Sequence, residues 1–132
     1  MNENQIVALF KERKFRATPQ RIAVYKYLCE NRTHPDALEI YNNVVEQNPS
    51  FSKTTVYNSL AALEECGLVI RINVDGDSAR YDGFVAMHGH FFCEKCGRIF
   101  DFDLQNIDCS LPQGFRTNHR SVYYRGLCPE CK

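Results

Sequence analysis

Two Cys-x-x-Cys pairs stand in the last third of the chain, Cys93-Glu94-Lys95-Cys96-Gly97 and Cys128-Pro129-Glu130-Cys131. Each pair can close a tight turn that aims both sulfurs at one point. Two such turns supply four thiolates to a closed tetrahedral site, for which zinc is the usual ion. Thiol–disulfide exchange, the other chemistry of such a pair, expects a βαβ setting that the neighbouring residues lack. Cys93, Cys96, Cys128 and Cys131 are therefore read as a structural Zn(2+) site. Of the other thiols, Cys29 and Cys66 fit apolar helix positions, and Cys109 has no assignment.

A second constellation has different chemistry. His88-Gly89-His90 precedes the first pair, Asp101 follows it, Asp82 stands upstream and His34 lies far back in the chain. In a strand, residues 88 and 90 share a face. Two imidazoles joined by carboxylates form a mixed nitrogen and oxygen set that accepts iron, manganese, cobalt or zinc, and the contrast with an all-thiolate site suggests an exchangeable metal. Asp103 shares a strand face with Asp101, so spacing leaves the choice of carboxylate open. His119, a lone histidine, reads as structural or exposed.

The elements that must place these ligands are legible in outline. Ile6, Leu9 and Phe10 predict a first helix, broken near Ala17. Thr18-Pro19 supplies an N-cap and a proline at N1 for a second helix to about Asn31, with Ile22, Tyr25, Leu28 and Cys29 facing inward. Asp36 caps a third, with Leu38, Tyr41, Val44 and Val45 on one face. Ser52 caps a fourth, carrying Val56, Leu60 and Leu63 and stopped by Gly67. The period then changes to two at Ile70, Ile72 and Val74, and Asp75-Gly76-Asp77 turns the chain into Ala79 to Tyr81. Three helices and a hairpin in this order make a winged helix, whose last helix enters the major groove of DNA.

The remainder, short, rich in Phe and Tyr, reads as strands over 88–102 and 121–127. The fold class is α+β: a winged helix-turn-helix domain at 1–84, then a small α/β domain stapled by zinc at 85–132.

The formal net charge is +0, which by itself argues against a phosphate-binding surface. Its distribution argues the other way. Lys11, Arg13, Lys14, Arg16, Arg21 and Lys26 gather in one stretch, while 75–108 is mainly acidic. Ser52, Lys53, Thr54, Thr55, Tyr57 and Asn58, on the first turns of the fourth helix, suit phosphates and base edges. With Arg16, Gln20 and Arg21 they form the candidate DNA face. The amphipathic start, MNENQIVALFKERKF, lacks the apolar run of a signal peptide or membrane span, so a cytoplasmic protein is expected.

Arg16-Ala17-Thr18-Pro19-Gln20-Arg21, His34-Pro35, Thr55-Val56-Tyr57-Asn58, His88-x-His90-x-x-Cys93-x-x-Cys96-Gly97 and Cys128-x-x-Cys131 resemble the ferric uptake regulator (Fur) family of bacterial metalloregulators over nearly the whole chain. The resemblance implies a homodimeric, non-enzymatic repressor whose domain at 85–132 serves dimerisation and metal sensing, structural zinc on the four cysteines, and regulatory Fe(2+) or Mn(2+) on His34, Asp82, His88, His90 and Asp101. It selects Asp101 over Asp103 and implies an AT-rich inverted repeat of double-stranded DNA as operator. Aspartates at both carboxylate positions, with Tyr57-Asn58, look like the peroxide-sensing branch, in which iron-catalysed oxidation of His34 or His88 would release DNA. Other readings are an iron- or zinc-sensing repressor without peroxide chemistry, a non-haem iron enzyme, and a zinc-stapled interaction module. The chain departs from the family pattern in two places. Met87-His88-Gly89-His90 replaces a His-His-Asp-His run, which implies loss of an additional site involving His119. The segment 103–114 is short and carries Pro112 and Gly114 where the family has a helix.

Overall fold

The computed structural model describes residues 1–73, 79–85, 88–104, 110–116 and 121–132. The chain divides into two compact units, Met1–Val85 and Ala86–Lys132.

The first unit contains α1 (Glu3–Glu12), α2 (Pro19–Glu30), α3 (Ala37–Gln47), α4 (Lys53–Glu65), β1 (Ile70–Ile72) and β2 (Arg80–Asp82). Every helix starts on a side-chain cap. The Asn2 carboxamide accepts from the Gln5 amide, with Gln5 returning to Asn2 as a capping box; Thr18, Asp36 and Ser52 accept from the amides of Arg21, Glu39 and Thr55. Each cap satisfies an amide that has no partner inside its helix.

The ends of α1 and α4 share one device. At α4, Gly67 takes φ +81°, its amide donates to the Glu64 carbonyl, and the Leu68 amide donates to the Leu63 carbonyl. That is a Schellman closure. At α1 the left-handed residue is Lys14 at φ 55°, with the Lys14 and Phe15 amides donating to the Lys11 and Phe10 carbonyls. The helix thus stops at Glu12, earlier than the break expected near Ala17. A lysine tolerates the left-handed position here because Phe15 then closes edge-on over Phe10, 5.0 Å between ring centroids, the apolar contact that accompanies such closures.

Ile6, Phe10, Val24, Leu28, Ile40, Val56, Leu60 and Leu63 form the core of this unit, with Leu68 and Val69 completing it. Two helix faces differ from the periodicity reading. In α2, Val24 is fully buried and Ile22 and Cys29 flank it. In α3, Ile40 and Val44 point inward, Tyr41 and Val45 flank them, and Leu38 is 47% exposed. Ile40 and Val44 are one turn apart, whereas Leu38 lies some 200° around the helix from Ile40.

β1 and β2 pair antiparallel, Ile70 opposite Asp82 and Ile72 opposite Arg80. β2 runs one residue later than the expected 79–81; the expected turn at 75–77 and Val74 lie outside the described residues. A third segment joins this hairpin. Asp36 bridges to Arg80, and the Tyr81 amide donates to the Pro35 carbonyl at 3.0 Å.

In the second unit the described elements are β3 (Gly89–Cys93), β4 (Ile99–Phe102) and β5 (Tyr123–Gly126), in the order β4-β3-β5. β3 and β4 are antiparallel and β3 and β5 parallel. Gly89 sits opposite Phe102, and a Cβ built on it would fall 2.3 Å from the Phe102 ring. That ring also stacks on Tyr124, centroids 5.3 Å apart. The departure from the family pattern at residue 89 therefore has a packing partner: the missing side chain is replaced by a cross-strand aromatic. Residues 110–116 run exposed through a turn at Gly114 (φ +90°).

Candidate metal centres and nucleic-acid face

The parallel pairing of β3 and β5 assembles the four cysteines. Parallel neighbours end on the same edge of a sheet, and Cys93 at the end of β3 lies opposite Gly126 at the end of β5. Each strand then runs directly into its Cys-x-x-Cys turn. The Gly97 amide donates to the Cys93 carbonyl at 2.9 Å, with Gly97 at φ +76°, and the Cys131 amide donates to the Cys128 carbonyl at 2.9 Å. The Glu94 amide reaches the Gly126 carbonyl at 2.8 Å and ties the turns together.

All four sulfurs lie within 4.8 Å of one another. Cys96 and Cys128 are 3.9 Å apart, beside the edge of about 3.8 Å that tetrahedral sulfurs have when each zinc bond is about 2.3 Å. Cys93 and Cys128 are buried, Cys131 half-buried and Cys96 exposed. The sulfurs already favour charge unequally. Backbone amides of Cys96 and Cys128 hold the Cys93 thiol down at about 6, and the Arg98 guanidinium lowers Cys96. Cys131, donating to the Cys128 sulfur, is pushed up to about 12. Three sulfurs crowding a fourth make it hold its proton; a divalent cation in their midst removes that reason. Geometry and donor chemistry both fit zinc.

The same sheet builds a second group. β3/β4 pairing sets His90 directly opposite Asp101, and His88, two residues earlier, falls on the same face. The Nε2 atoms of His88 and His90 each stand 3.4 Å from Asp101 Oδ1, and the two rings are 4.4 Å apart edge to face. Both histidines are buried, and Tyr123 of β5 stacks on His90 at 5.9 Å. Asp103 lies beyond the end of β4, where strand alternation no longer governs its side chain.

In the first unit, His34 Nε2 stands 3.4 Å from Asp82 Oδ2, and both residues are 2% exposed. His34 holds φ 57°, a conformation that non-glycine residues enter only when the surroundings enforce it. The enforcement is visible. Arg80 donates to the His34 carbonyl at 3.3 Å, and the bridge of Asp36 to β2 pins the far side of Pro35. Asp82 is oriented in turn by the Phe84 amide, which donates to its Oδ1 at 2.8 Å. Each unit thus holds buried imidazole against carboxylate, a mixed nitrogen and oxygen donor set suited to iron, manganese or zinc. His119 and Cys109 lie outside the described residues.

The start of α4 presents Lys53, Thr54, Tyr57 and Asn58 to solvent and buries Val56, Ser59 and Leu60. Ser52 and Thr55 are engaged in the cap, their hydroxyl oxygens 2.7 Å apart. Gln20, Arg21, Thr55 and Asn58 line one shallow cleft together with Thr18 and Ser59. Arg21 also donates to the Arg16 carbonyl at 3.0 Å and lies over the Phe15 ring at 4.3 Å, so its guanidinium is fixed from two sides. Two contacts were not anticipated from the residues alone: Tyr123 on His90, and Arg98 on the thiolates of the four-cysteine centre. The position of Arg98 directly after the turn glycine was the available signal for the second.

The model of the ferric uptake regulator family matches residues 12–123. The peroxide operon regulator of Bacillus subtilis is 36% identical over 126 residues, covering 92% of this chain and 87% of that protein. The peroxide-responsive repressor of Staphylococcus epidermidis is 34% identical over 131 residues, covering 96% and 87%. Among solved structures, the Campylobacter jejuni peroxide stress regulator superposes with a TM-score of 0.72 at 31% identity, covering 99% of this chain and 100% of that one.

Proposed function

The chain belongs to the ferric uptake regulator family, and from that premise we propose that it is a homodimeric, metal-dependent repressor in the cytoplasm that leaves its DNA operator in response to peroxide. Zinc on Cys93, Cys96, Cys128 and Cys131 staples the second unit. A regulatory ion, iron or manganese, takes its ligands from His34, Asp82, His88, His90 and Asp101. The operator is an AT-rich inverted repeat, read by Tyr57 and Asn58 and held through its phosphates by Lys53, Arg16 and Arg21, with Gln20, Ser52, Thr54 and Thr55 alongside.

The observation that carries the peroxide reading is the pair of short carboxylates. Asp82 and Asp101 each stand 3.4 Å from buried histidine nitrogens. An aspartate, one methylene shorter than glutamate, tends to offer a metal a single oxygen, and a bound ion would then have room for a small oxidant. Ferrous iron held by these residues would supply one-electron reduction of peroxide, and the imidazoles beside it would be the side chains exposed to the product. His34 and His88 are the histidines at risk. The chain's own part would be to hold both imidazoles beside the ion, so that oxidation falls on them rather than on more distant groups.

Ligands drawn from both units give the ion a signalling role. If metal and DNA both favour one arrangement of the units, their affinities are coupled reciprocally. Dimerisation through the second unit is supported by β5, an edge strand among the described strands, where Tyr123, Tyr124 and the following Leu127 are 40%, 56% and 50% exposed. No helix among the described residues is long and apolar enough to cross a membrane.

The test is operator binding by iron-loaded, manganese-loaded and apo protein, without oxygen, before and after micromolar peroxide. Both metals should support binding, and only the iron form should dissociate and gain one oxygen on the His34 or His88 peptide by mass spectrometry. Asp101→Glu should keep iron-dependent binding and lose the peroxide response. Iron-loaded protein that stays unmodified and bound would replace this reading by plain metal sensing.

A further inference from the structure

We propose that Arg98 is a guard over the four-cysteine centre: its guanidinium hydrogen-bonds the sulfur of Cys96, the exposed cysteine of the four, and sets how slowly peroxide oxidises the thiolates and frees the zinc. The inference rests on the zinc reading of the four cysteines.

A site that must survive in a protein meeting peroxide has a chemical problem. A thiolate attacks hydrogen peroxide with a sulfur lone pair; the sulfur–oxygen bond forms as the oxygen–oxygen bond breaks, sulfur loses two electrons, and the products are a sulfenic acid and hydroxide. A sulfenic acid is a poor zinc ligand. Cys93 and Cys128 escape through burial, 0% and 1% exposed, whereas Cys96 is exposed.

Arg98 stands over this exposed sulfur. Its Nε donates to Cys96 Sγ at 3.4 Å and its Nη2 points to Cys128 Sγ at 3.7 Å. The guanidinium is itself positioned, since Nη2 is 2.6 Å from Glu130 Oε2 and the group lies 5.2 Å over the Phe100 ring. Glu130 belongs to the second Cys-x-x-Cys turn, so the clasp spans both turns. An exposed ion pair contributes little to stability; here it holds a forked donor against two sulfurs. A charge-assisted donor draws electron density from sulfur, and a less basic thiolate is a poorer nucleophile toward an oxidant.

The experiment uses zinc-loaded protein and follows zinc release with a chromogenic chelator during exposure to hydrogen peroxide. A parallel run with the chelator alone, and mass spectrometry of the cysteine peptides, complete it. Arg98→Met should release zinc to peroxide about tenfold faster, with sulfenic or further oxidation first on Cys96, while its release to chelator alone stays at the wild-type rate. Arg98→Lys, a single ammonium that serves one sulfur, and Glu130→Gln, which frees the guanidinium, should fall between. Unchanged peroxide sensitivity in Arg98→Met overturns the proposal, and so does equal acceleration with and without peroxide, the mark of a merely structural role. If Arg98→Met purifies without zinc, the other two variants decide, and wild-type rates in both overturn it. Wild-type protein without zinc would instead remove the zinc reading itself.

Discussion

The four-cysteine centre and the histidine–carboxylate pairs draw on the chain in opposite ways. All four sulfurs lie in the second unit, on two turns tied by the Glu94–Gly126 hydrogen bond. The imidazoles and carboxylates are divided: His34 and Asp82 in the first unit, His88, His90 and Asp101 in the second. A site whose ligands share one small unit can only stabilise that unit. The regulatory site proposed above would take ligands from both units, and its ion would then bias their relation, which is what a signal requires. The donor types agree with this division, thiolates holding zinc tightly and mixed nitrogen and oxygen ligands exchanging metal more readily.

The sharpest way to break the comparison is Cys96→Ser. Zinc contributes an apparent binding free energy of about 10–16 kcal/mol in small zinc domains, far above the roughly 3–5 kcal/mol that a core this small supplies alone. The variant should lose zinc, the second unit should unfold and the dimer should dissociate. Metal analysis and sedimentation check this, and a folded dimer with full zinc would remove the structural role.

Asp82→Asn tests the other side. The amide keeps an oxygen for the Phe84 amide but removes the carboxylate charge beside His34. Zinc content and fold should persist, while the enhancement of DNA binding by iron or manganese should fall by about 5- to 150-fold, the usual range of coupling between sites. Loss of zinc in this variant would erase the distinction between the sites.

Changes on the proposed DNA face should leave both metal groups intact. Tyr57→Ala should weaken binding to the preferred operator by about 1–3 kcal/mol with little change elsewhere, and Lys53→Ala should weaken all sequences and shallow the salt slope by about one unit. Binding titrations over a salt series separate the two. Tyr57→Ala with unchanged discrimination would displace it from the base edges.

The smallest effect is expected from Gly89→Ala. The added carbon meets the Phe102 ring, which must swing away from Tyr124, a mild overpacking of about 1 kcal/mol. Thermal unfolding should show the loss while zinc and regulatory-metal stoichiometry stay unchanged. A larger drop confined to regulatory-metal affinity would mean that this strand's backbone tunes His88 and His90 more than it supports the sheet.

The residues alone determined what depends on neighbours a few positions away. Thr18, Asp36 and Ser52 are legible as caps because a cap satisfies an amide three residues on. Gly67 is legible as a stop because only the left-handed position favours it, and each Cys-x-x-Cys pair is legible as a turn. Residue types likewise separated the two metal chemistries. Tertiary structure decided what depends on partners distant in sequence. Periodicity offered Leu38 for the core, but packing chose Ile40, because helix phase is set by the surface the helix meets. Spacing left Asp101 and Asp103 equivalent, and only the family resemblance preferred Asp101; in the fold Asp101 pairs with His90, while Asp103 lies beyond the end of β4 at Phe102. The parallel pairing of β3 and β5, which brings the two cysteine turns to one edge, left no mark in either turn. Strand partnership is a long-range choice among backbone hydrogen bonds that every strand can make, and only the folded sheet selects which are made.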